Sequence, residues 1–247
     1  VHHPKDLTMT YARRSLRLYL ANRSYVTLIP GGILVIMLAM SLVIGVAIGM
    51  ATEFPLSTQI QEGMRENNGG AVYSIPGFLI SLGALAVNRN FAMALAFGST
   101  RRHFWLGTLM GFALTSGATA ASAVVLLALE KATNHWFFGV YAFDVAALGK
   151  GDYVLTFASV FVLAVLSLAL GALFGTAYRA FGTKGALLTG LAAAVLVVAV
   201  TLLSASNKEI VGSWLGALGV WAAVVVAAIA ATISIAGSYA ANRLARL

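Results

Sequence analysis

Six long apolar runs, each bounded by polar or glycine-containing punctuation, divide the chain: Tyr25 to Ala51, Ala71 to Val87, Phe104 to Leu129, Val154 to Tyr178, Gly185 to Ser204 and Val211 to Tyr239. A helix needs about 20 predominantly apolar residues to cross ~30 Å of hydrocarbon, so each run predicts one crossing. The expected architecture is all-α: one polytopic transmembrane domain over residues 1–247 with six transmembrane helices. The first run exceeds the apolar core of a signal peptide and leads straight into further runs, so it reads as a permanent helix. Ahead of it, Thr8 to Arg23 has helical spacing, with Met9, Ala12, Leu16, Tyr19 and Leu20 on one face and Thr10, Arg14 and Arg17 on the other. Such a segment predicts an amphipathic helix in the membrane interface, its Arg13, Arg14 and Arg17 reaching lipid phosphates or an acidic partner; the plainer reading is a basic flank that sets topology.

Composition agrees with the pattern. Of 247 residues, 60% are hydrophobic and 10% charged, and the mean hydropathy is +0.90. A soluble domain is ordinarily about 25% charged, so a large soluble catalytic domain is excluded. With no cysteine, disulfides, thiol catalysis and cysteine-ligated metals are excluded, and four scattered histidines argue against any metal site. The pI of about 10.1 suggests nucleic acid until the charges are placed. With the N-terminus inside, twelve basic residues fall on inner segments (Lys5, Arg13, Arg14, Arg17, Arg23, Arg89, Arg101, Arg102, Arg179, Lys184, Arg243, Arg246) and four on outer loops (Arg65, Lys131, Lys150, Lys208). That split is a topology signal favouring N-in and C-in, and no nucleic-acid partner is expected. Tyr25, Trp105, Tyr178 and Tyr239 inside, and Tyr73, Trp136, Tyr153 and Trp214 outside, read as interfacial anchors. Glycine pairs four apart (Gly45 and Gly49, Gly107 and Gly111, Gly171 and Gly175, Gly212 and Gly216) allow close helix approach.

The segment Asn88 to His103, between the second and third runs, is the most informative. Phe91, Ala94, Leu95 and Gly98 make a helical stripe, so a short helix is expected to run to Phe97 and stop at Gly98, which tolerates the left-handed conformation. Ser99 or Thr100 can cap the next helix, whose first turn carries Arg101 and Arg102. Two arginines opening a helix sit at the unfavourable end of its dipole, which calls for an anionic partner, either lipid phosphates or a protein.

A basic amphipathic helix, six crossings in about 250 residues and a Gly-x-Thr-Arg-Arg-x-Phe-x-x-Gly element from Gly98 to Gly107 together resemble the membrane subunit of an ABC-2-type exporter. The resemblance implies a multi-pass permease of a bacterial inner membrane. It pairs with a second permease subunit, identical or related, and with ATPase subunits that hold ATP and Mg; no cofactor is expected in this chain. It further implies that Phe91, Leu95, Phe97, Gly98, Ser99, Thr100, Arg101, Arg102 and His103 form the coupling element docked on the ATPase, with Arg13, Arg14, Arg17 and Tyr19 on an interface helix against the same subunit. Exporters of this architecture often carry outer structure between the last two crossings. Here Ala205 to Ile210 is short and Glu130 to Asp152 is the longer outer loop, so an outer gate must be assembled differently.

The energy source separates the classes. A proton-coupled carrier keeps a titratable group inside a span, and the six runs have none in their interiors. No phosphate-binding loop is present, since Gly149-Lys150-Gly151 lacks the spacing and the hydroxyl, so ATP hydrolysis must come from a partner. Ser41, Ser81, Ser116 and Ser167 have no basic residue beside them and are expected to bond back to their own helices or across to a neighbour; no catalytic residue is expected. Glu53 and Glu130 are expected to be solvated loop carboxylates, or else two acids meeting a cationic substrate. The expected cargo is hydrophobic or amphipathic, such as a peptide, drug or lipid, as in antimicrobial or drug resistance. The rival readings are a membrane assembly or sensor protein without transport, and an ATP-independent channel or ion-coupled carrier.

Overall fold

A computed structural model of the chain describes residues 16, 19–20, 28–52, 54–67, 72, 74–207, 213 and 218–244. Among these, the architecture is helical throughout: α1 (Ile29–Ala51), α2 (Thr58–Asn67), α3 (Ser74–Ala96), α4 (Arg101–Ala132), α5 (Tyr153–Ser206) and α6 (Val220–Leu244), with a single 3-10 turn at Ala146–Leu148. Five helices, all but α2, are long and apolar enough to cross a membrane. This is the character of a multi-pass membrane protein.

The fourth and fifth apolar runs share α5. A helix of 54 residues would extend about 81 Å if straight, but α5 breaks at Gly182, whose φ of 65° and ψ of −153° belong to glycine alone. Past the break the chain reverses. The backbone at Gly185 lies against the Ala177 carbonyl, and a Cβ on Gly190 would stand 3.6 Å from the Phe174 ring, whereas a straight helix would separate residues 174 and 190 by about 24 Å. The limbs 153–181 and 183–206 therefore run antiparallel.

The α5 helix is the central element, packed along α3, α4 and α6, with α1 on the far side of α3 and α4. Glycine sets the closest approach. A Cβ at Gly171 would collide with the Ile80 carbonyl, one at Gly83 with the Leu168 carbonyl, and one at Gly175 would lie 3.0 Å from the Ala84 oxygen. The Gly171 and Gly175 pair thus does bring two helix backbones together. Gly45 and Gly49 act differently, admitting the Val140 and Phe54 side chains, while Gly111 admits Tyr19. Gly212 and Gly216 lie outside the described residues. Ser81 and Ser167 return their hydroxyls to Gly77 and Leu163 carbonyls at 3.2 and 2.7 Å, as membrane-helix serines are expected to.

Two features depart from the sequence expectation. The second run was expected to end at Val87, with a separate short helix after it; α3 instead continues unbroken to Ala96. Polar Asn88, Arg89 and Asn90 do not stop a helix whose next turns bury Phe91 and Ala94. Tyr19, expected on an interfacial helix, is inside the bundle: its hydroxyl is 3.0 Å from Thr115 Oγ1 and its ring stands edge-on to Phe112. Thr115 is fourteen residues into α4, about 21 Å from its start. Leu16 and Leu20 are helical with Tyr19, while Arg13, Arg14, Arg17 and the rest of residues 8–23 lie outside the described residues. At the far end, α2 buries Met64 against Leu56 and Val140.

The glycine contact yields a test. Gly171→Ala forces a methyl into backbone and is expected to destabilise by about 1–3 kcal/mol, whereas Gly117→Ala, with open space beside it, should be neutral or stabilising through helix propensity. Thermal unfolding of the two variants in detergent distinguishes them.

Candidate coupling site at the basic end

The turn between α3 and α4 is built as the glycine and hydroxyl residues predict. Gly98 has φ of 79°; its N–H donates to the Leu95 carbonyl at 2.9 Å and the Ser99 N–H to the Ala94 carbonyl at 3.0 Å, the paired bonds of a Schellman motif. Thr100 is extended, with ψ of 159°, and its hydroxyl accepts the His103 N–H at 3.3 Å, capping α4. Both helix ends are satisfied within the four residues 97–100, which makes the turn a stiff corner.

Its two faces differ. On the inner face Phe91 is buried and meets Phe104 edge-on, with ring centroids 5.3 Å apart, and Leu95 packs against the same core. Ser99 is also buried. On the outer face Phe97 is 67% exposed and Met93 half exposed, and Arg89, Gly98, Thr100 and Arg102 are exposed with them. His103 is partly buried.

Arg101 is not an outward contact. Its Nη1 donates to the carbonyls of Asn242 and Arg243 at 3.3 and 3.1 Å, satisfying the last turn of α6 and placing positive charge at the favourable end of that dipole. The Asn242 Nδ2 returns a bond to the Arg101 carbonyl at 3.3 Å. Fully buried Asn242 also accepts from Arg179 Nη2 at 2.8 Å through Oδ1. Arg179 in turn donates from Nη1 to the Val87 carbonyl at 3.2 Å and lies 3.6 Å over the Phe91 ring. The arginine pair is thus divided: Arg101 ties α4 to α6, and Arg102 faces outward. Arg179 and Asn242 were missed by sequence reasoning, which took Arg179 only as a topogenic charge. A lone asparagine amid an apolar helix was the available signal.

Charge is segregated along the bundle. Among the described residues, Arg89, Arg101, Arg102, Arg179, Lys184 and Arg243 gather at this end, and every carboxylate, Glu62, Glu66, Glu130, Asp144 and Asp152, belongs to the opposite, cap end. There Glu130 is not a solvated loop residue. It is 0% exposed and accepts the N–H groups of Ala142, Phe143 and Asp144 at 3.2, 2.7 and 3.2 Å, holding the loop onto the end of α4. Glu53 lies outside the described residues. Asp144 pairs with Arg65 at 3.0 Å and with His135 at 3.4 Å. His135 stacks on Tyr141 at 4.0 Å. Burial, and next the Asp144 charge, hold the Tyr141 phenol above its usual value, so it stays neutral. No group of three His, Asp or Glu suited to a metal occurs among the described residues.

No protein-family model matches the chain, and neither a curated protein nor a solved structure matches it.

The Asn242 side chain joins α6 to Arg179 of α5 and to the Arg101 carbonyl of α4, so Asn242→Ala is expected to cost about 1–3 kcal/mol by leaving Arg179 short of an acceptor. Arg243→Ala, which removes an exposed side chain and leaves the backbone acceptor, should change unfolding in detergent by less than about 0.5 kcal/mol.

Proposed function

We propose that the chain is the membrane-spanning permease subunit of an ATP-driven exporter of the ABC-2 type, working with a second membrane subunit and with separate ATPase subunits that bind ATP and Mg. In this reading the two limbs of α5 each cross the bilayer, bringing the crossings to six, and the basic end lies in the cytoplasm of a bacterial cell with both termini. The observation that carries it is the corner at 97–100. An apolar side chain, Phe97, and a free-facing arginine, Arg102, are exposed on a turn whose own hydrogen bonds are complete, at an end with no described carboxylate to neutralise it. An acidic protein surface with an apolar recess complements that combination.

The mechanism follows from stiffness. A push on the corner is passed to α3 and α4 as rigid bodies, and from α3 to α5 through the glycine contacts at Gly83 and Gly171. The bundle is then the two-state element that ATP-driven closure biases, opening a path for a hydrophobic or amphipathic substrate. Arg101, spent on the α6 carbonyls, serves here as a link between α4 and α6 that keeps them moving together.

The test separates docking from folding. In the native membrane, mild-detergent purification of the full chain is expected to bring down an ATPase. Phe97→Ala with Arg102→Glu should reduce co-purified ATPase activity at least tenfold, about 1.4 kcal/mol or more of binding, with unchanged thermal stability. Arg101→Glu should lower stability itself. No ATPase in the wild-type preparation, with transport by the chain alone in liposomes, supports a channel or carrier; neither ATPase nor flux supports an assembly or sensor protein.

A further inference from the structure

The loop joining α4 to α5 doubles back through an unusual backbone. Asn134, His135, Trp136 and Phe137 have φ of 51°, 57°, 59° and 66° in succession, a left-handed turn without glycine, which L side chains resist. Beyond it the chain returns to the bundle, burying Val140 against Gly45 of α1. Phe137 is left 77% exposed, and Phe138 is partly exposed. The Phe138 ring meets Phe54 with centroids 5.6 Å apart, and its carbonyl accepts the Leu56 N–H at 3.4 Å. Phe54 in turn packs on Gly49 of α1, beside Met50, which is 78% exposed. Two separate segments therefore present Met50, Phe54, Phe137 and Phe138 at the cap end, and burial within the chain does not account for them.

The position of α1 indicates what covers these side chains. Every exposed position of α1, among them Val35, Ile36, Met40, Val43 and Met50, is apolar. Its 23 residues rise about 34 Å, close to the ~30 Å hydrocarbon thickness of a bilayer. Lipid can cover α1 along its length only if the boundary at the cap end lies near Ala51. Phe54 follows three residues later and holds Phe138, so both rings stand at that boundary, the depth at which aromatic side chains are favoured.

We propose that the cap is seated in lipid, with Met50, Phe54, Phe137 and Phe138 inserted at the headgroup–acyl boundary of the leaflet at the cap end. The inference does not rest on the ATPase reading, because it concerns only this chain and the bilayer. It makes the cap a part tethered on two sides: Glu130 ties its backbone to α4, and the aromatic rings tie it to the leaflet.

The chain has no cysteine, so single nitroxide labels can be placed in the full chain, reconstituted in phosphatidylethanolamine and phosphatidylglycerol liposomes. Labels on Phe137→Cys and Phe54→Cys are expected to relax with dissolved oxygen several-fold more, relative to a water-soluble nickel chelate, than a label on Asn67→Cys of exposed α2. Nickel access at 137 or 54 equal to that at 67 overturns the proposal. So does dipolar broadening at 137 that disappears on dilution with unlabelled chain, which assigns the surface to a second copy. The two labelled segments are independent, so loss of folding in one variant leaves the other to decide.

Discussion

Hydrocarbon offers peptide groups no hydrogen-bonding partner, and this constraint organises the whole molecule. Along the helices it is met locally, residue by residue. At the helix ends it must be met by something else, and the chain uses a different device at each. The α3–α4 corner closes on itself through Gly98 and Thr100. The last turn of α6 borrows the Arg101 guanidinium. At the far end of α4 the logic is inverted: a buried carboxylate, Glu130, gathers three loop N–H groups that would otherwise be left unsatisfied.

These devices also explain how polar side chains are tolerated in so apolar a chain. Asn242, Arg101 and Arg179 form a connected set: the Asn242 amide accepts from the Arg179 guanidinium and donates to the Arg101 carbonyl, the Arg101 guanidinium is held by the Asn242 and Arg243 carbonyls, and the Phe91 face supplies what hydrogen bonds do not. No carboxylate takes part among the described residues. A buried ion pair would carry a large desolvation penalty for both charges; carbonyl dipoles and an aromatic face stabilise the cations without placing a second charge out of water.

What was legible in the sequence is what is local. The apolar runs mark the long helices, and Gly98 with Thr100 marks the corner, because a left-handed φ and a capping hydroxyl are demands that one or two residues answer alone. What was illegible is what depends on pairs far apart in the chain. Arg101 meets Asn242 across 141 positions, and nothing near Arg101 announces it. Glu130 looks like a loop acid because the N–H groups that hold it lie twelve or more residues onward. The α2 helix was missed because its apolar face is only Ile60 and Met64 in a polar ten-residue segment, too short a stripe to stand out from a loop. Tyr19 was placed at a surface by its helical spacing, which identifies a face of a helix but not what that face touches.

The reversal at Gly182 bears on how the protein is made. With the limbs 153–181 and 183–206 in contact immediately after the break, there is no intervening soluble loop to be synthesised between them. With both limbs crossing the bilayer, as proposed above, the second emerges from the ribosome when its partner is already present, and it reaches the insertion machinery beside a ready-made apolar surface. In that reading the two partition into the bilayer as one helical hairpin, and the biosynthetic unit at this point of the chain is the pair of limbs rather than the single helix.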